Sequence, residues 1–400
     1  MLVNVERLQM KMTEEGIDAL VATTLGNVFY FTGVMSEGLR LFNYEHQSYA
    51  VVTNDAPTQP HLITSVGLSN QVWMGYDTIQ EVVTYGKFFR SGPFLDVTLT
   101  PNERRLKSIM NDQKPEATPL DALVSTLKKM GLADKKVGID EMNLKAGYLK
   151  ALQEHLPRAS FVPVSKILRQ VRKVKTPDEI ERLRRVIRIT ENAIMAALGI
   201  ARKNVTEYEM AREFERSIVS QGARPYFTLI RFGRNGVAGE VEPDRTPLKE
   251  GDTIWFDVGC LFEGYWADIA RTASLGEPSA RARSIYQAML AGEQYALEHT
   301  RAGMTGGQLF DQTMAATRAA GVPHYERHHV GHGIGTELYE DVLISPGVED
   351  LIEEGTVVNI ETPYYEFGLG AIHVEDPFVV RAGGNEILTK LSRELLVVDA

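Results

Sequence analysis

The sequence predicts an α/β domain followed by an α+β domain with an internal repeat, and three observations support this. The chain has 400 residues, enough for two domains. Up to about residue 160, short β-prone segments alternate with helical ones, which is typical of an α/β domain. Beyond residue 200, a pattern of two helices followed by a carboxylate-bearing hairpin occurs twice.

The first domain is expected to span residues 1–165. Its first helix, at 5–15, is predicted to end at Gly16, because glycine is common just beyond a helix. None of the predicted segments carries a motif that indicates catalysis. Further helices are predicted at 101–112, 119–130 and 144–156, and strands at 17–22, 27–32, 48–53, 61–65 and 136–140.

The second domain is expected to span residues 166–400. A basic segment near its beginning is followed by the sequence of a helix start. Thr176, Pro177 and Glu179 suit the N-cap, the first and the third positions of that helix. A capped helix is therefore predicted to open this domain.

The repeat in the second domain is seen in positions that match at offsets of 99 and 104 residues. At the smaller offset, Thr206 and Thr305 each open a helix with a capping box. At the larger offset, a glutamate and a glycine precede both Asp257 and Glu361. Two similar halves with the functional residues between them would give the domain pseudo-two-fold symmetry.

Composition and charge restrict the classes of function. The net charge is −10, which argues against nucleic acid as the main partner. The N-terminus lacks the apolar core of a signal peptide, and no apolar run approaches the about 18 to 20 residues that cross a bilayer. Cys260 is the only cysteine, so no intramolecular disulfide can form, which fits a reducing compartment. We therefore expect a soluble, cytoplasmic protein.

Two aspartates lie in the first predicted hairpin, whose turn is expected at Glu263 and Gly264. Asp257 and Asp268 are 11 residues apart in an alternating, mostly apolar segment. They lie directly opposite each other if the loop is 262–263, and a shift of one step still leaves them neighbours on adjacent strands. Like charges in such positions destabilise a hairpin unless something bridges them.

The second predicted hairpin carries Glu361 and Glu375, and His332 lies in a glycine-rich run before it. The glutamates are 14 residues apart, an even spacing that is compatible with one face of a sheet. A carboxylate is rarely buried in such an apolar strand without a partner. The glycine-rich run lacks the Gly-Lys-Ser/Thr ending of a phosphate-binding loop. A histidine between glycines is by itself more often structural than a ligand, so His332 is a candidate metal ligand only together with the carboxylates.

Four converging carboxylates and one imidazole predict a site for two divalent cations, whose charge would balance that of the carboxylates. The ligand set suits Mn²⁺, Co²⁺, Fe²⁺ or Zn²⁺, and the sequence does not distinguish among them. Such a site favours hydrolytic chemistry. The predicted metal ligands are Asp257, Asp268, His332, Glu361 and Glu375.

With these residues in this order, the chain resembles the pita-bread metallohydrolases, which include Xaa-Pro dipeptidases (prolidases), aminopeptidase P, methionine aminopeptidase and the metal-free creatinase. The ordered Asp, Asp, His, Glu, Glu set is the specific part of the resemblance. Two further segments support it: VERLQMKMTEEGIDALVATTLGNVFYFTGV resembles the N-terminal domain of the creatinase and prolidase group, and KVKTPDEIERLR resembles the entry to the catalytic domain. The resemblance implies a pita-bread catalytic domain at 166–400, closest to the prolidase type and with its metal ligands intact.

The resemblance also implies a role for each predicted ligand. Asp257 would chelate one ion, His332 and Glu361 would bind the other, and the bridging ligands would be Asp268 and Glu375. A water activated by both ions would be the nucleophile, and Glu361 would also shuttle protons.

Four other positions concern the substrate. His328 matches a family histidine near the scissile carbonyl, where it would stabilise the developing oxyanion. Where the prolidase pattern has two histidines and an arginine around the substrate, this chain has Glu240, Tyr339 and His373. We therefore expect this chain to catalyse the same class of reaction as the family, whereas its substrate is not identified by the sequence.

Three functions remain open from the sequence. The first is a dinuclear hydrolase of Xaa-Pro dipeptides or other small peptide-like molecules. The second is a non-peptidase enzyme on the same fold, either a hydrolase of amidines or cyclic amides or a proton-abstracting lyase. The third is a non-catalytic pita-bread binding module. The resemblance further implies a homodimer in which the loop that carries Arg40, Phe42 and Tyr44 covers the site of the partner subunit.

Overall fold

The computed structural model describes residues 2–42, 45–72, 78–111 and 114–400. The chain divides into two compact units, Met1–Arg172 and Lys173–Ala400. The boundary expected at residue 165 lies at the start of the helix Ser165–Lys173, so the first unit continues through nearly all of that helix. In the described ranges, no helix is long and apolar enough to span a membrane.

The first unit is a mixed sheet with helices on both faces. Within the described residues its elements are α1 (Val5–Glu14), β1 (Ala19–Ala22), α2 (Leu25–Thr32), α3 (Glu37–Leu41), β2 (Tyr49–Thr53), β3 (His61–Ser65), β4 (Glu81–Tyr85), α4 (Pro101–Asn111), α5 (Pro119–Lys129), β5 (Lys136–Ile139), α6 (Tyr148–His155), β6 (Ser160–Pro163) and α7 (Ser165–Lys173). The strand order is β4-β3-β2-β1-β5-β6. The β1–β2 and β2–β3 pairs are antiparallel, and the other pairs are parallel.

The central strands of this sheet are buried on both faces. Ala19 and Val21 pack into an apolar cluster with Leu123 of α5, whereas Leu20 packs into a second cluster with Leu8 of α1. Successive side chains of a strand point to opposite faces, so each face of β1 meets its own layer of helices. This explains why these strands are continuous apolar runs in the sequence.

Two of the elements predicted for this unit are corrected by the structure. Residues 27–32, predicted as a strand, belong to the helix α2, which Thr24 caps and Gly33 (φ 71°) ends. All residues from 26 to 32 are buried, so no alternation distinguishes a strand from a helix there. The helix predicted at 144–156 begins only at Tyr148, after Gly147 with φ 84°. The helix predicted at 101–112 is observed to Asn111, and Asp112 lies outside the described residues.

The second unit contains the larger sheet. Its elements are α8 (Pro177–Leu198), α9 (Glu207–Ser220), β7 (Arg224–Phe232), β8 (Thr253–Phe262), β9 (Tyr265–Trp266), β10 (Ile269–Leu275), α10 (Ala280–His299), α11 (Gly306–Ala319), β11 (Gly331–Gly333), β12 (Val357–Glu361), β13 (Tyr364–Glu366), β14 (Gly370–Ile372), β15 (Glu375–Val379), β16 (Glu386–Ile387) and β17 (Leu396–Val398). The main strand order is β11-β12-β15-β10-β8-β7. β9, β16 and β17 join this sheet alongside β8, β15 and β10, and β13 and β14 form a separate ribbon.

The two halves of this unit repeat the same local structure. The capping boxes predicted at Thr206 and Thr305 are both formed. Each threonine also makes an isolated β-bridge, Thr206 to Pro247 and Thr305 to Leu351. β8 begins at residue 253 and β12 at residue 357, which reproduces the larger offset. The predicted α+β domain with pseudo-two-fold symmetry is therefore confirmed.

Candidate metal centre

The first hairpin brings Asp257, on β8, close to Asp268, which lies between β9 and β10. β8 and β9 are joined by a two-residue turn in which Glu263 and Gly264 have positive φ, 48° and 82°. This register pairs Asp257 with Ala270, so Asp268 lies two residues before the partner of Asp257. The aspartates are diagonal neighbours, as expected for the shifted register, and are not directly opposed.

The second hairpin brings Glu361 and Glu375 together. These glutamates are directly paired across β12 and β15, so their even spacing does place them on one face. Ala270 pairs with Asp257 on one side and with Glu375 on the other. Residues paired across strands share a face, so the methyl group of Ala270 lies between the carboxylates of the two hairpins.

His332 reaches the same site from β11, the edge strand beside β12. Its Nδ1 lies 2.9 Å from the carbonyl oxygen of Gly333, and its Nε2 lies 3.5 Å from Oδ2 of Asp268. The ring stacks on Tyr339, with centroids 3.7 Å apart and planes 15° from parallel. These contacts orient the imidazole so that Nε2 faces the carboxylates.

Three of the predicted ligands fit a single metal ion. Asp268, His332 and Glu375 each offer a donor atom, and these atoms all lie within 4.8 Å of one another. That span is slightly wider than the about 4 Å that separates donors held at about 2.1 Å on opposite sides of one ion. Oδ1 of Asp268, Nε2 of His332 and Oε2 of Glu375 are buried and lack a hydrogen bond within the described residues. Because unsatisfied buried polar atoms are costly, the donor set suits a bound cation.

Burial opposes the ionisation of three of the carboxyls. Burial, together with repulsion from Asp268 and Glu361, raises the pKa of Asp257 well above its ordinary value. Burial and the neighbouring carboxylates do the same to the pKa of Glu375, and burial raises the pKa of Asp268. A divalent cation would reverse this by favouring the charged forms.

Glu361 differs from the other carboxyls because two histidines contact it. Its Oε1 lies 3.1 Å from Nδ1 of His329, and its Oε2 lies 3.6 Å from Nε2 of His373. Burial opposes the charged form, but interactions with these two histidines outweigh burial and lower the pKa of Glu361 below its ordinary value. Glu361 therefore stays ionised at neutral pH, as a proton acceptor requires.

His373 lies among the carboxylates and is only 1% exposed. Its Nδ1 is 3.8 Å from Oδ2 of Asp257, and its Nε2 is 4.0 Å from Oε2 of Glu375. The indole of Trp255 lies nearly parallel to its ring, with centroids 6.3 Å apart. Burial lowers the pKa of His373. The sequence predicts a substrate contact at this position, and the structure groups the residue with the predicted ligands.

A cavity of about 440 Å³ opens onto these carboxylates. Glu240, His328 and Tyr339, which the sequence assigns to catalysis or to the substrate, line its wall. Glu240 and His328 are exposed, and Tyr339 is 45% exposed. Burial raises the pKa of Tyr339, so its phenol stays protonated at neutral pH. These three side chains are therefore accessible to a bound molecule.

Three other cavity residues, Arg327, His329 and Tyr365, were missed from the sequence. Arg327 and His329 belong to the basic run that precedes His332, and that run was the available signal. Tyr365 lies on β13, a short strand that interrupts the second hairpin and was not predicted. Its position in the cavity could not be read from hydrophobic spacing.

Two further residues hold Glu375 in place. Nδ2 of Asn359 donates to Oε1 of Glu375 at 2.7 Å. Nη1 of Arg271 donates to the carbonyl oxygen of Glu375 at 2.9 Å, while its Nη2 pairs with Asp376 at 2.7 Å. Partners of this kind orient a ligand and tune its affinity for metal. A lone polar residue in an apolar strand gives no sequence signal for such a role.

The predicted lid residues lie in the first unit. The segment predicted as a loop contains the short helix α3, at whose end Nε of Arg40 donates to Oε2 of Glu37 at 3.0 Å. Phe42 is 56% exposed, and Tyr44 lies outside the described residues. The closure of a partner's site by this segment stays a prediction.

Known proteins similar to this chain include peptidases that act on Xaa-Pro bonds. A model of metallopeptidase family M24 matches residues 181–382, and a model of the creatinase/prolidase N-terminal domain matches residues 4–174. A Xaa-Pro dipeptidase of Pyrococcus horikoshii is 30% identical over 265 residues, which cover 66% of this chain and 75% of that protein. A Xaa-Pro dipeptidase of Pyrococcus furiosus is 33% identical over 239 residues, or 59% of this chain and 68% of that protein. The structure of an X-Pro aminopeptidase from Thermotoga maritima MSB8 matches with a TM-score of 0.78 at 25% identity, covering 99% of each chain. The chain therefore belongs to metallopeptidase family M24 and is a metallohydrolase.

Proposed function

We propose that this chain is a dinuclear metal-dependent hydrolase that cleaves Xaa-Pro dipeptides. The observation that supports it most is the set of buried donor atoms without hydrogen bonds on Asp268, His332 and Glu375. Such a set is costly unless a cation occupies it. Two relatives are named Xaa-Pro dipeptidases, and the proposal extends that activity to this chain.

In this proposal, five side chains would hold two ions. Asp257 would help to hold one ion, His332 and Glu361 the other, and Asp268 and Glu375 would contribute to both. Two divalent cations, Mn²⁺, Co²⁺, Fe²⁺ or Zn²⁺, would balance the four carboxylates and supply the Lewis acidity for hydrolysis of a C–N bond.

Two residues of the chain move or hold protons in this proposal. Glu361 accepts a proton from the attacking water and passes it to the leaving nitrogen, which its position in the cavity supports. Burial, assisted by His329 and Arg327, lowers the pKa of His328, so its neutral form dominates at pH 7. A neutral His328 donates one N–H toward the oxyanion that develops on the scissile carbonyl.

The size of the cavity supports a substrate of dipeptide scale. Its volume of about 440 Å³ lies at the lower end of ligand pockets, which hold small molecules. We propose that Tyr339 and Glu240 contact the substrate. His373 would affect the substrate indirectly, through its contacts with Asp257, Glu361 and Glu375. A homodimer whose Arg40, Phe42 and Tyr44 close the neighbouring site would complete the enclosure.

A substrate panel tests this function. The purified protein is loaded with Mn²⁺, Co²⁺ or Zn²⁺ and assayed on Xaa-Pro dipeptides, longer Xaa-Pro peptides and small amidines. We expect turnover of the dipeptides that a chelator abolishes and added metal restores. Turnover that persists after thorough removal of metal would contradict the proposal.

Metal content gives an independent test. Asp268→Asn is expected to reduce the bound metal measured by elemental analysis, because it removes a charged donor from the buried set. Asp311→Asn is the matched control, since Asp311 is exposed on α11. Equal metal content in both variants would count against the ligand role of Asp268.

A non-peptidase enzyme is the second candidate. Glu240, Tyr339 and His373 differ from the prolidase pattern at substrate positions, and an exposed carboxylate at Glu240 favours a cationic group such as an amidine. Cleavage of amidines or cyclic amides without cleavage of dipeptides would favour this candidate, as would elimination products in place of hydrolysis products. Bound metal without any turnover would favour a binding module instead.

A further inference from the structure

The cavity contains a guanidinium group that the proposed function leaves unused. Among the described residues, Arg327 is the only lysine or arginine that lines this cavity. The rest of the charged lining is acidic and consists of Glu240, Asp257, Asp268, Glu361 and Glu375. If two divalent cations balance the predicted ligands, Arg327 is left with its charge available to a bound molecule.

The side chain of Arg327 is half-buried. Within the part of the chain that the structure describes, it makes no hydrogen bond or ion pair, and its Nε is shielded from solvent. The buried arginines of the same unit behave differently. Arg231 lies 3.2 Å from Glu207, and Arg271 lies 2.7 Å from Asp376. A half-buried guanidinium that lacks such a partner is suited to receive one from a ligand.

Aromatic contacts hold Arg327 at a defined place beside the reacting centre. Its guanidinium carbon lies 5.8 Å from the centroid of the Tyr365 ring. Tyr365 packs edge-on against Trp255, with centroids 6.0 Å apart, and Trp255 lies parallel to the ring of His373. His373 contacts Glu361 at 3.6 Å. This chain of rings fixes the guanidinium relative to the carboxylates that would hold the metal.

We propose that Arg327 binds the carboxylate of the substrate and so selects molecules with a free carboxylate close to the scissile bond. This inference rests on the proposed function and names the recognition element of the same site. The planar guanidinium matches a carboxylate with two parallel hydrogen bonds, which a neutral amide cannot accept in the same way. The site therefore favours Xaa-Pro dipeptides over their amides and over longer peptides.

A pair of substrates that differ only in this charge tests the inference. The metal-loaded wild type and Arg327→Gln are assayed on Ala-Pro and on Ala-Pro amide. We expect Arg327→Gln to lower kcat/KM about 10- to 100-fold for Ala-Pro, mainly by raising KM, and less than about threefold for the amide. For Ala-Pro, the kcat/KM of Arg327→Lys should lie between the values of the wild type and Arg327→Gln, because lysine keeps the positive charge but cannot donate two parallel hydrogen bonds.

Arg216→Gln is the matched control, because Arg216 pairs with Glu213 on α9 and its side chain is 67% exposed. Arg216→Gln should leave kcat/KM unchanged for both substrates. Equal losses of Arg327→Gln on the acid and the amide would overturn the proposal, since they would indicate only neutralisation of the acidic lining. A wild type that cleaves both substrates equally well would also overturn it.

Calorimetry separates a failure of this inference from a failure of the proposed function. Proline and prolinamide, which differ in the same charge and contain no Xaa-Pro bond, are titrated into metal-loaded wild-type and Arg327→Gln protein. We expect the wild type to bind proline more tightly than prolinamide and Arg327→Gln to lose that difference. A wild type without this preference would reject the role of Arg327. A preference without turnover in the loaded enzyme would support Arg327 while rejecting the proposed hydrolysis.

Discussion

Nζ of Lys175 lies 2.6 Å from Oε2 of Glu340, and both side chains are buried. Oε1 of the same glutamate accepts hydrogen bonds from the backbone N–H groups of Thr336 and Glu337, at 3.0 and 3.2 Å. This ion pair ties the segment before α8 to the loop that carries Tyr339. The loop that covers His332 therefore depends on a contact made by the linker before the first helix of its unit.

Lys175→Met is expected to destabilise the protein by about 3–5 kcal/mol, because it leaves the charge of Glu340 buried without its partner. Urea denaturation measures the free energy of unfolding. The double variant Lys175→Met/Glu340→Gln should recover part of the loss, since it removes the buried charge of Glu340 while the amide oxygen still accepts from the N–H groups of Thr336 and Glu337. Arg216→Met, which breaks an exposed pair, should cost about 0–1 kcal/mol. A loss of that small size in Lys175→Met would show that the buried pair contributes little.

Glu179 makes the stability of the second unit depend on pH. Its Oε2 accepts from the backbone N–H of Thr176 at 2.8 Å, and its Oε1 accepts from the hydroxyl of Tyr265 at 3.0 Å. Burial raises the pKa of Glu179 to about 7 from its ordinary value of 4.5, although Lys175 acts in the opposite direction. The folded state therefore holds a proton that the unfolded state has released between these two pH values. The protonated Glu179 therefore stabilises the folded state at low pH. Its contribution to the free energy of unfolding is lost as the pH rises from 4.5 to about 7.

Glu179→Gln should remove this dependence, because the amide does not titrate. We expect the wild type to lose about 2–3 kcal/mol more than the variant in free energy of unfolding between pH 5 and pH 8. Glu181→Gln is the control on the same helix, since its side chain is 57% exposed. The idea fails if Glu179→Gln and the wild type show the same pH profile.

His373 is expected to affect metal affinity more than substrate affinity. Its ring contacts Asp257, Glu361 and Glu375 within 4.0 Å. His373→Gln should weaken the binding of Co²⁺ or Zn²⁺ by about 10- to 100-fold, the usual effect of losing a group that orients ligands. Calorimetric titration of the metal-free protein measures this, and His299→Gln on the exposed end of α10 is the control. An unchanged metal affinity with a raised KM would restore the substrate role predicted from the sequence.

Gly259 permits the close packing of the first hairpin. A Cβ at this position would lie 2.2 Å from Cε1 of Phe227 and 2.3 Å from the carbonyl oxygen of Ala267. Gly259→Ala should therefore cost about 1–3 kcal/mol, because the backbone next to Asp268 has to move. It should also lower metal content.

Gly383→Ala is the matched control for this substitution. No atom lies within 4 Å of its added Cβ, and its backbone is not left-handed. Its effect should stay within about 0.5 kcal/mol. Thermal unfolding and elemental analysis compare the two variants, and equal stability would refute the packing argument.

The predictions from sequence succeeded where local rules and burial act together. The capped start of α8 at Thr176 is formed because the side chains that satisfy its first N–H groups are adjacent in sequence. Glu361 and Glu375 share a face because side chains alternate along paired strands. Charged residues within apolar strands were therefore sufficient to identify the carboxylates that converge.

The predictions failed where tertiary contacts, rather than local sequence, determine the position of a residue. α2 is buried all round, so its sequence carries no periodic signal. Arg327 and Tyr365 meet only because the loop before β11 and the strand β13 lie beside the same cavity. His373 and Asn359 could not be assigned, because the neighbours of a buried polar residue depend on strand order, which the sequence did not supply.

Ala270, between the two hairpins, marks where the repeated halves of the second unit join. One half contributes Asp257 and Asp268, and the other contributes His332, Glu361 and Glu375. Neither half alone could assemble the full set of donors. Bound metal would therefore link the two halves of the second unit. Removal of the metal would weaken the contact between the halves and abolish hydrolysis together.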